Sequence, residues 1–77
     1  MAISPHNAAR NLATILVSEG YFDRMPPTSQ IKRAGDRART TPQGHYVLDV
    51  ANGRGRAYQG IVDRYSGGKL GKLQRIT

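Results

Sequence analysis

The chain has 77 residues, twelve Lys or Arg against five Asp or Glu for a formal net charge of +7, 38% hydrophobic residues and no cysteine. That length allows one core, which buries roughly 60% of the unfolded surface, and the apolar content suits folding rather than disorder. Disulfides and cysteine-ligated zinc are excluded, no run of about 18 apolar residues offers to cross a bilayer, and the first residues lack a secretory pattern. No membrane partner is expected. The expected setting is the cytoplasm, or the host cytoplasm or a virion should the chain be viral.

Ser4-Pro5 opens the first element. Serine can accept from free N–H groups at a helix start and proline is pre-set for the first turn. Ala8, Leu12, Ile15, Leu16 and Val17 follow at helical spacing, and Gly20 supplies the stop. The pattern predicts a helix over 5–19 with a left-handed cap, after which Tyr21 and Phe22 fold back onto it.

Met25-Pro26-Pro27 reads as a rigid connector, and Thr28 or Ser29 can then cap a shorter helix over about 29–39. Its apolar stripe is only Ile31, Ala34 and Ala38, with Lys32, Arg33, Asp36, Arg37 and Arg39 around the rest. Gly35 costs it about 1 kcal/mol relative to alanine, so it needs tertiary support. Two helices with a basic second one also open a helix-turn-helix, although the diproline is stiff and the second helix has no Asn or Gln beyond Gln30 to read base edges.

Thr40 to Gly44 is turn-rich, and His45–Val50 alternates as a strand with Tyr46, Leu48 and Val50 on one side. Asn52-Gly53 is a strong hairpin signal, and a two-residue turn there sets Asp49 opposite Arg56. The segment 57–65 suits helix or strand, because Tyr58, Ile61, Val62 and Tyr65 have helical spacing but β-branched and aromatic character. A strand is favoured, since Leu70–Ile76 can then pair with it. The fold expected is α+β in a single basic domain over 1–77, helical across 4–39 and mainly β across 44–77. Its two helices cover one face of a hairpin or three-stranded meander.

The charge is unevenly placed. Residues 1–30 balance Arg10 and Arg24 against Glu19 and Asp23, whereas residues 31–77 set ten cations against Asp36, Asp49 and Asp63 and so carry the whole +7. Nine of the twelve cations are arginine. Such asymmetry is the footprint of phosphate contact, and it also suits an acidic protein surface.

Arg54-Gly55-Arg56 resembles the centre of an AT-hook, a minor-groove element, with Ala57 where the hook has proline. Ser66 to Lys72 is a glycine-lysine stretch that does not meet the phosphate-loop pattern, which needs Ser or Thr after its lysine. Tyr46, Tyr58 and Tyr65 alternate with arginines, and can stack on unpaired bases if exposed or join the core if not. No metal ligand set or cofactor motif is present, and an enzyme would need a cleft joining His45 to Asp49 or Asp63.

These residues point to a small non-enzymatic nucleic-acid-binding protein of accessory or regulatory type, DNA before RNA. Lys32, Arg33, Arg37, Arg39, Arg54, Arg56, Lys69 and Lys72 are its phosphate contacts. The alternative is a virus-encoded structural or inhibitory protein that docks on an acidic protein or a larger assembly. In either case the helix over 5–19 is apolar enough to support a homo-oligomer.

Overall fold

In the computed structural model, which describes residues 2–65 and 68–77, two helices lie against one face of an antiparallel sheet of four strands. Helix α1 spans Pro5–Ser18, α2 spans Thr28–Asp36, and the strands β1 (Arg39–Thr40), β2 (His45–Ala51), β3 (Ala57–Asp63) and β4 (Leu70–Arg75) pair in chain order. The α+β class is as expected. The sheet has one strand more than the expected meander, and 57–63 is strand.

Helix α1 forms for the reasons its sequence carries. Ser4 Oγ accepts from Asn7 N–H at 3.1 Å, and Pro5 takes the first helical position. At the other end Gly20 adopts φ +84°, and the Tyr21 and Phe22 N–H groups both donate to Leu16 O, at 2.8 and 3.0 Å. This turn brings Phe22 back into the core, where it is 4% exposed.

Helix α2 stops at Asp36, short of the expected 39, because Ala38 N–H closes a tight turn onto Gly35 O and the chain then becomes an edge strand. The turn after it explains the fourth strand. Thr41 N–H donates to His45 O, and Thr41 Oγ1 accepts from His45 N–H, which folds Arg39 and Thr40 alongside Val47 and Tyr46.

Alternation then builds the core. Tyr46, Leu48 and Val50 of β2 and Tyr58 and Val62 of β3 face the helices with Leu12 and Leu16 of α1. Leu12, Leu16, Leu48, Val50 and Val62 are fully buried, each contributing roughly 1.5–3 kcal/mol of apolar transfer. Two mid-element glycines permit close approach: a Cβ on Gly60 would meet Leu12 Cδ2 at 2.7 Å, and one on Gly35 would lie 2.9 Å from His6 Cα. The apolar stripe of α1 is thus buried against the chain's own sheet. Among the described residues, no helix is long and apolar enough to cross a membrane.

Candidate functional site

The β2–β3 hairpin is not the two-residue turn its Asn-Gly suggested. Ala51 pairs with Ala57, leaving a loop of residues 52–56, and Asp49 stands opposite Gln59 rather than Arg56. Asn52 is the cause. Its Oδ1 accepts from both Arg54 N–H at 2.7 Å and Arg56 N–H at 3.1 Å, while its own N–H donates to Arg56 O, and Gly53 and Gly55 supply the positive φ that the wider loop needs. Gln59 Nε2 donates to Asp49 Oδ1 at 2.9 Å across the outer face.

This loop forms one wall of an open cleft of about 670 Å³. The other wall is the connector from Tyr21 to Pro27, fixed by the glycine cap of α1 and by the diproline. Arg54 and Arg56 enter from the loop, Arg24 from the connector and Arg75 from the end of β4. The register sets Arg75 opposite Tyr58 and therefore on the inner face. Four arginines thus line a space with one acidic residue, Asp23, among its described lining. Among the described residues none of the four forms an ion pair; Arg75 Nε donates to Thr77 O. Tyr21 and Met25, 41% and 42% exposed, supply an apolar flank.

The eight cations named from sequence are not brought together as one site. Arg54 and Arg56 line the cleft. Arg33 and Arg37 line a smaller depression with Gln30, Asp49, Ala51 and Ala57, next to the hairpin tip, where a Cβ on Gly53 would be 3.7 Å from the Gln30 side chain. Lys32 bonds Asp36 at 2.9 Å, and Arg39 lies 3.5 Å from Asp49. Lys72 pairs with Ile61 on the outer face, and Lys69 precedes β4. Ser66 and Gly67 of the glycine-lysine stretch lie outside the described residues.

At the far end of the sheet several cations have partners. Arg64 sits 5.0 Å from the Tyr65 ring and 5.8 Å from the Tyr46 ring. His6 Nε2 and Lys32 Nζ both approach Asp36, at 2.7 and 2.9 Å, and this hydrogen bonding, from Lys32 first and then His6, holds the Asp36 carboxyl below its usual range. The register sets His45 opposite Asp63 on the outer face, away from the cleft.

Tyr46 and Tyr58 are 8% and 6% exposed and belong to the core, so they present no free ring to a base. Tyr21, Arg24 and Arg75 were not among the sequence candidates. The antiparallel pairing of the last strand already implied that its end reaches the hairpin, which was a usable signal for Arg75. Nothing local in the sequence marks Arg24 or Tyr21, because their place depends on the path of the connector. No family model, curated protein or solved structure matches the chain, so the function is argued from the site.

Proposed function

We propose that the protein binds nucleic acid without catalysing a reaction on it, holding phosphates in the cleft at the hairpin end. The observation that carries this is the convergence of Arg24, Arg54, Arg56 and Arg75 against the single carboxylate of Asp23, with no ion pair to any of the four among the described residues. Arg75 gives its Nε to Thr77 O, whereas guanidinium groups without such partners keep all their donors for phosphate, and the planar fork matches phosphate oxygens in pairs. Arg33 and Arg37, beside the hairpin tip, extend the basic surface along α2.

The test is binding to labelled oligonucleotides between about 50 and 200 mM salt, where each neutralised phosphate contributes roughly 0.7–0.9 to the logarithmic slope. Four arginines then give a slope of about −3. A flat salt dependence, or no binding at the lowest salt, removes the proposal. Partners captured from lysate that persist after nuclease treatment would favour an acidic protein as the ligand instead.

A further inference from the structure

The ligand can be narrowed by the shape of the site and by its one accessible aromatic wall. A duplex presents its bases stacked and paired, so a concave site can touch only its backbone. An unpaired nucleotide offers both a phosphate and a free π-face. The cleft is concave and open, with a volume of about 670 Å³, in the size range of small-molecule sites.

Its lining holds groups suited to both parts of a nucleotide. The hairpin wall carries Arg54 and Arg56, the connector wall carries the exposed Tyr21 and Met25 together with Arg24, and Arg75 lies at the end of β4. The Tyr21 ring is also held in place. It makes a T-shaped contact with buried Tyr58, centroids 5.1 Å apart at 67°, and its N–H is bonded to Leu16 O at the α1 cap. A ring fixed before binding loses little freedom when a base stacks on it.

From this juxtaposition we infer that the cleft receives an unpaired nucleotide of a single-stranded nucleic acid, its base against Tyr21 and its phosphate on the hairpin arginines. The inference rests on the nucleic-acid reading above and restricts it to single strands. It also changes the part that arginine plays. Arg54 and Arg56 hold a backbone from within a concave wall, instead of projecting into a minor groove.

Fluorescence anisotropy on the full chain tests this, using a homopyrimidine strand of about 12 nucleotides, a duplex of equal length and a free mononucleotide. The strand is expected to bind at least about 10-fold more tightly than the duplex, and Tyr21→Ala to remove about 10-fold of strand affinity while leaving the duplex affinity and the salt slope unchanged. Tyr21→Phe keeps the ring and is expected to retain strand binding. Because the chain has no tryptophan, Tyr21→Trp places a single indole in the cleft, and its emission is expected to be quenched as the strand is added.

Equal affinity for strand and duplex, with Tyr21→Ala without effect, overturns the inference and leaves the nucleic-acid reading standing. An indole that stays unquenched while the strand binds overturns it too. A mononucleotide that displaces the strand at equal concentration shows a free nucleotide to be the ligand and overturns the strand. If neither strand nor duplex binds at low salt, the underlying reading fails as well.

Discussion

The two ends of the sheet carry cations of different standing. At the hairpin end Arg24, Arg54, Arg56 and Arg75 face a cleft with one carboxylate among them. At the opposite end Arg64 lies over two tyrosine rings, and Lys32 with His6 is tied to Asp36. The chain's +7 covers both ends alike. Only the partners of each cation separate a surface kept ready for an anion from one that fastens helices and strands together. Net charge therefore suggests a class of ligand, and the pattern of unpartnered charge suggests where it goes.

Leu12 packs under Gly60, in the core that both ends share. Leu12→Ala should cost about 3 kcal/mol in urea unfolding, lowering the stability of both regions together. A loss of binding with stability intact would contradict that placement.

Next in size is the charge reversal Arg54→Glu with Arg56→Glu. It should weaken oligonucleotide binding about 100-fold at low salt and leave the melting temperature nearly unchanged, because among the described residues neither side chain has a hydrogen-bond or ion-pair partner. Arg64→Ala sharpens the contrast from the other side. The melting temperature should drop by a few degrees as the two ring contacts are lost, with affinity and salt slope as in the wild type. Should Arg64→Ala weaken binding as much as the hairpin reversal, the division between the ends would collapse.

The smallest effect is the pH response of the Asp36 cluster. Lys32 and His6 lower the Asp36 pKa in the folded chain from its ordinary 3.8. Its contribution is therefore fully present above the unfolded value and is lost as the pH falls through the folded one. Thermal melts of wild type and Asp36→Asn should differ near neutrality and converge as the pH falls through the lowered Asp36 pKa. A gap that widens with acid would have the wrong sign for this cluster.

Much of the fold was legible because its signals are local. The Ser4-Pro5 start, the Gly20 stop and the alternation of Tyr46, Leu48 and Val50 each state a conformation and a buried face within a few residues. Misjudged features depended on competition between backbone partners. Arg39 read as the end of a helix and Thr40 as a turn, but the Thr41–His45 turn offered them a strand to pair with. Asn52-Gly53 read as a two-residue turn, but the Asn52 side chain capped two further N–H groups and widened the loop. In the site, Arg54 and Arg56 were visible as a motif, whereas Lys32 and Arg39 could not be told from them until Asp36 and Asp49 were found beside them.

The sequence by itself determined the class of the fold, the order of its helices and main strands, and the concentration of charge after residue 30. These follow from periodicity, capping and composition, which are properties of neighbours along the chain. Tertiary packing was needed to send Tyr46 and Tyr58 into the core, to leave Tyr21 exposed and to bring Arg24 to the hairpin, where Arg75 arrives through the strand pairing. Each depends on where distant segments meet: the glycine cap turns the connector towards the hairpin, and the antiparallel register returns the last strand to the same end.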